Sequence, residues 1–230
     1  MPYMIHLLQH DPQRFFMVIV VVVISIVLHE LAHGWAAIRL GDDTPLRMGH
    51  MTGNPLVHMG PFSLIALCLA GIAWGQMPVD PGRLRGRHAE ALVAAAGPAT
   101  NLLISLVTLV ALGLIARFAD PALYDAAARG DARGILPNLM KLLFIFGTTN
   151  GLLCIFNLMP VPPLDGSRIV ANYHRGYAMF MGDPSKQGFM IMLFCAAFVL
   201  SGAIFTRVYV FAAFFVTSVA GSPAFFEVVI

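Results

Sequence analysis

Phe15 to Leu28 is a run of fourteen residues with no charge and only Ser25 as a polar side chain, and it leads straight into His29-Glu30-Leu31-Ala32-His33. Continued to Leu40, the stretch is 26 residues long, or roughly 39 Å as a helix, enough to cross a bilayer. Backbone polar groups at that depth must be satisfied internally, so helix is the conformation expected for it. Two histidines and a glutamate are costly to bury there without a purpose. Residues four apart on a helix share a face, so His29 and His33 can grip one metal ion. Glu30 then lies beside the metal, where a general base can take a proton from metal-activated water.

The composition sets the same class for the whole chain. Of 230 residues, 58% are hydrophobic and 11% are charged, whereas soluble domains run nearer ~25% charged. A polytopic membrane protein is expected, long enough for one membrane bundle and too short for that plus a sizeable soluble domain. A net charge of +2 without a basic tail excludes nucleic acid as a partner. Cys68, Cys154 and Cys195 stand alone in apolar stretches, so neither a disulfide framework nor a thiolate metal site is indicated. The first apolar run is too long, and ends too polar, for a cleavable signal. His6 and His10 are also four apart, but with no carboxylate base and no buried setting they read as interfacial residues.

Beyond Leu40 the pattern changes. Gly41 to Pro45 closes the first helix. Leu46 to Pro61 mixes glycines, prolines and short apolar pieces, which suggests a bent strand pair or re-entrant loop. Phe62 to Trp74 is apolar but only 13 residues long, suited to a segment that dips into the bilayer and returns. Arg83, Arg85 and Arg87 read as a solvated loop at the headgroup face.

Ala91 to Ala116 is the second membrane helix, with Gly97-Pro98-Ala99-Thr100-Asn101 near its start. Small residues there permit close helix contact, and Pro98 frees a carbonyl that a neighbour must satisfy. Asn101 is either interhelical glue or an active-site hydrogen-bonding group, and spacing alone leaves both open. Arg117 to Pro137 is a polar loop, and Leu136 to Met159 a third long helix. Pro160, Pro162 and Pro163 then forbid continuous helix and deliver Asp165 against the apolar run. A lone Asp-Gly is usually a turn, but two histidines make an incomplete zinc shell, and catalytic zinc commonly takes three protein ligands. Asp165 is the other carboxylate placed to complete it. Phe189 to Ala220 is a long apolar run interrupted by Arg207, either one tilted helix or two short ones broken near Ser201-Gly202.

The expected fold is therefore an all-α polytopic membrane protein, a bundle of about four to six transmembrane helices. A re-entrant β-hairpin or loop joins its HExxH helix to its GPxxN helix. One domain is expected over residues 1–230, with a catalytic core over about 15–170 and C-terminal membrane segments over about 188–220. His29, His33, Asn101 and Asp165 share one half of the membrane if Phe62 to Trp74 does not span. That side carries eight arginines and lysines against five on the other, which places the site toward the cytosol.

Three motifs in order, His-Glu-Leu-Ala-His-Gly-Trp, Ala-Gly-Pro-Ala-Thr-Asn and Asn-Leu-Met-Pro-Val-Pro-Pro-Leu-Asp-Gly, closely resemble the site-2 protease family of intramembrane zinc metalloproteases. The resemblance covers about Phe15 to Val170. Asn54 to Pro61 and Gly75 to Val79 also look like that family's compact prokaryotic members, which usually have aspartate where Gly60 stands and lysine where Gln76 stands. The likeness implies one Zn2+ per chain held by His29, His33 and Asp165, with Glu30 as general base. It also implies that Asn101 orients the substrate or supports the oxyanion. A transmembrane protein substrate would be captured near Leu46 to Pro61 by pairing with an edge strand, in a minimal member without PDZ or CBS domain. The expected setting is the cytoplasmic (inner) membrane, in contact with the lipid bilayer. The alternative class is a transporter or metal path lined by His29, His33 and Asp165. A third is a dead homologue that binds membrane proteins without zinc.

Overall fold

The computed structural model describes residues 3–120, 122–124 and 134–221. Among them, the regular secondary structure is helical throughout. A short α1 (Tyr3–His10) leads into α2 (Pro12–Arg39), whose start is fixed by Asp11 accepting from the Arg14 amide at 2.9 Å. After α3 (Thr44–Arg47) and α4 (Pro55–Ala70), an irregular run over residues 71–88, with one 3₁₀ turn at Pro81–Arg83, reaches α5 (Ala89–Phe118). Then come α6 (Ile135–Asn157), α7 (Asp165–Tyr173), α8 (Arg175–Gly182), a 3₁₀ turn at Pro184–Lys186 and α9 (Gln187–Ala220). Helices α2, α5, α6 and α9 are long and apolar enough to cross a membrane. Most of the polar loop expected over Arg117 to Pro137 lies outside the described residues.

The expected β-hairpin between the first two long helices is not there. Asn54-Pro55 instead starts a helix: the Asn54 side chain accepts from the Leu56 amide at 3.0 Å, and proline at the first helical position is already at a helical φ. With 16 residues, α4 reaches about 24 Å, short of the ~30 Å hydrocarbon core. It kinks at Gly60, where φ 67° and ψ 169° demand a residue without a side chain. The glycine that departs from the family pattern thus stands where the backbone requires it. The C-terminal apolar run is one helix. Ser201 and Thr206 bond back to the carbonyls of Phe198 (2.6 Å) and Gly202 (3.2 Å), so small polar residues do not break it.

The chain divides into two compact units. The first comprises residues 1–101 with 153–201. In it, Met4 and Leu7 of α1 pack on Phe15, and Ile26 of α2 meets Met59 and Leu67 of α4. The second comprises 102–152 with 202–230, and its described core joins Leu109, Leu112 and Ala116 of α5, Met140 and Phe144 of α6, and Ala212, Ala213, Val216 and Ala220 of α9. Glycines let its helices approach closely: a Cβ on Gly113 would come within 2.6 Å of Val219.

Candidate metal centre

The site lies within the first unit. His29, Glu30 and His33 are buried on two successive turns of α2. Helix α5 meets them with two residues eight apart in sequence. The carbonyl of Val93 lies 2.7 Å from His33 Nδ1, and Asn101 Oδ1 lies 2.5 Å from His29 Nδ1. Each Nδ1 therefore donates outward, which leaves both Nε2 lone pairs facing inward. Pro98 removes the donor for the Ala94 carbonyl; the carbonyl that His33 takes is its neighbour.

The third member arrives from the far end of the sequence. After the proline-rich turn, Asp165 opens α7. Gly166 makes this possible, because a Cβ there would strike the main chain of Leu158 and lie 2.6 Å from the Met159 carbonyl. The Ser167 hydroxyl donates to Leu164 O at 2.6 Å and fixes the first turn. At the other end, His88 stacks on Tyr173, and the Asn172 amide donates to Arg87 O at 3.3 Å, so α7 is tied to the start of α5.

His29 Nε2, His33 Nε2 and Asp165 Oδ2 form a triangle with edges of 3.0, 3.1 and 3.3 Å. A tetrahedron with bonds of about 2.0 Å, the length zinc makes to nitrogen and oxygen, has edges of about 3.3 Å. Two inward lone pairs and a carboxylate oxygen at that separation repel one another unless a cation lies among them. Room for one is kept by Gly97, whose added Cβ would strike His33 Nε2 and stand 2.5 Å from His29 Nε2. The donor set and the space both fit zinc. Among the described residues, no other group of three His, Cys, Asp or Glu side chains converges in this way. His6 and His10 only stack on each other, with centroids 4.2 Å apart.

Glu30 faces a different wall. A Cβ on Gly75 would come within 2.6 Å of Glu30 Oε1, so the irregular run after α4 lies directly on this carboxylate. That run is stapled along its length. The Ser63 hydroxyl bonds both Trp74 N and O, Gln76 N donates to His58 O at 3.0 Å, and Arg85 N donates to Leu40 O at 2.7 Å. Asp42, fully buried, accepts from Asp80 N at 2.7 Å and Thr44 N at 3.0 Å. Burial alone would push the Asp42 carboxyl up. The hydrogen bonds from Thr44 and Asp80, with the charge of Arg83, outweigh it and hold the group below the usual carboxylate range.

Sequence reasoning missed the Val93 carbonyl, Gly75 and the metal-side role of Gly97. Main-chain groups carry no residue-type signal, although the small-residue cluster at 97 pointed to close helix contact.

Comparison with known proteins agrees with this geometry. The model of peptidase family M50 matches residues 17–122. The protein named "Putative zinc metalloprotease YwhC" of Bacillus subtilis (strain 168) is 32% identical over 76% of this chain and 77% of its own. The chain belongs to peptidase family M50, the site-2 proteases. Proteins named "Putative zinc metalloprotease Rip2" are similar as well. That of Mycolicibacterium smegmatis is 28% identical over 78% of this chain and 66% of its own. That of Mycobacterium tuberculosis (strain H37Rv) is 29% identical over 85% and 72%. No solved structure matches this M50 chain. Family and apolar helices together make it a multi-pass membrane metalloprotease that uses zinc.

Proposed function

We propose that this M50 peptidase hydrolyses peptide bonds within or near transmembrane segments of membrane-protein substrates, as a step in regulated intramembrane proteolysis. The observation that carries the reading is a two-histidine, one-carboxylate triangle whose histidines are buried on a membrane-type helix, with Glu30 beside them. His29, His33 and Asp165 hold one zinc per chain. Bound there, zinc supplies a Lewis acid that acidifies water and polarises a carbonyl. Glu30 takes the proton and later delivers it to the leaving amine. Asn101 acts through His29 by fixing its tautomer and ring, since its Oδ1 is committed there. The substrate helix must unwind before cleavage, and Gly, Pro or Asn in it lowers that cost. Its unwound chain is held near Leu46 to Pro61 and along the irregular run 72–80 that covers Glu30. The setting is the cytoplasmic membrane with the site toward the cytosol, supported by the excess of Arg and Lys on that side.

Purified protein reconstituted with a panel of single-span substrates tests this, with Glu30→Gln alongside and zinc measured in both. Cleavage by the wild type alone, at equal zinc, supports the reading. Metal flux retained by Glu30→Gln, with no cleavage by either, would replace it with a metal path.

A further inference from the structure

The last helix presents a second problem of charge in an apolar setting. Helix α9 has 34 residues, and just 6% of its most apolar window is buried, against 33–39% for the other three long helices. In the second unit, its Ala212, Ala213, Val216 and Ala220 face the core. The opposite face shows Arg207, Val210, Phe211, Phe214 and Ser218, all exposed and at the spacing of one helical stripe. Exposed apolar side chains are ordinary where lipid is the solvent. Arg207 is not.

Arg207 lies thirteen positions before Ala220, which shares a core cluster with Ala116 and Met140, and twenty after Gln187. At 1.5 Å per residue those are about 20 and 30 Å, further than an arginine snorkels. No carboxylate among the described residues pairs with it. An unpaired arginine at that depth costs about 2.5–3.5 kcal/mol on insertion scales, and such residues mark contacts with an opposite charge.

We propose that this stripe docks a transmembrane helix of another membrane protein, one carrying an Asp or Glu near its own midpoint. Charge complementarity selects that occupant. The four long helices of a second copy offer no such group: their carboxylates are Glu30, buried in the metal centre, and Glu90, in the first turn of α5. Lipid phosphates lie at the bilayer faces, beyond the reach of the guanidinium. Phe211 and Phe214 flank the cation with an apolar surface that a helix can cover.

The test uses full-length protein in phosphatidylcholine vesicles with labelled host peptides: a 21-residue Leu/Ala helix bearing a single central Asp, Leu or Lys. Energy transfer should report association of the Asp helix at least tenfold tighter than of the Leu or Lys helix. Arg207→Leu should remove that preference, and Arg207→Glu should transfer it to the Lys helix. Zinc content and thermal midpoint of each variant show that it is folded. Equal binding of all three helices overturns the proposal. So does an Asp preference that survives Arg207→Leu, loss of the preference in vesicles containing phosphatidylglycerol, or Arg207-dependent self-association. None of these readouts depends on proteolysis.

Discussion

Besides the exposed Arg39 at its end, helix α2 carries three ionisable side chains in its second half, each buried, with both histidines held by α5 and the carboxylate of Glu30 walled in by residue 75. Helix α9 carries Arg207 at a comparable remove from its ends and leaves it on the outer face, with no carboxylate partner among the described residues. The two runs look alike in sequence, each an apolar stretch interrupted by charge. What differs is what the neighbouring helices supply. Around α2 they supply a hydrogen-bond acceptor for each imidazole and a third metal ligand from 136 residues away. Around α9 they supply Leu, Ala, Met and Phe to one face and, among the described residues, no opposite charge to the other. A charge within a membrane helix thus has two stable settings: satisfied from inside the fold, or satisfied by whatever arrives from outside.

The comparison breaks most visibly at the catalytic turn. Glu30→Gln should lower cleavage by about 10²–10⁴-fold while zinc stays bound; equal loss of zinc would mean that Glu30 is part of the metal shell. Next come the supports. Asn101→Ala should weaken zinc affinity by about 10–100-fold, the usual effect of removing a partner that orients a ligand, read by competition with a chromophoric chelator. Gly97→Ala should reduce zinc content by filling the same space from the opposite wall, and an unchanged content would show that α5 can withdraw.

Helix α9 predicts the opposite sign. Arg207→Leu should raise the thermal midpoint of the isolated chain in lipid, by up to the ~2.5–3.5 kcal/mol insertion cost of the charge. His29→Leu, also a polar-to-apolar change, should lower it by stranding Asn101. If both substitutions stabilise, the distinction between the two helices fails. The smallest effect belongs to Asp42. Its carboxyl is held below the ordinary value in the folded chain, so its contribution is present at neutral pH and lost as pH falls through and below about 4, the unfolded value. Asp42→Asn should flatten that acid limb and cost about 1–3 kcal/mol at pH 7, read as increased protease access to residues 75–85.

Much of the site could be read from side-chain type and spacing. His29 and His33 share a face by helical period, and the proline run marks Asp165 by excluding every regular alternative. Asn101 could be placed in the bundle but not assigned, because an amide that steadies a histidine and one that steadies a substrate have the same sequence signature. The strand pair offered for 46–61 is absent, because glycine and proline punctuate helices and hairpins alike. The Asn-Pro pair at 54–55 was the deciding sign, a capping residue followed by the residue best suited to a first turn. The continuity of α9 was undecidable from sequence, since serine and glycine break a helix only when their hydroxyls or backbone find better partners elsewhere.

Around the metal centre, two of the nearest walls are glycine main chain: Gly97 opposite the imidazoles and Gly75 opposite Glu30. A wall built of side chains can be resized by substitution, and a lineage can drift through many such pockets. A wall built of backbone has no such dial. Any residue larger than glycine must either displace α5 or lift the run after α4. New specificities in chains of this design should therefore arise from the length and anchoring of that run rather than from the residues that touch the reacting atoms.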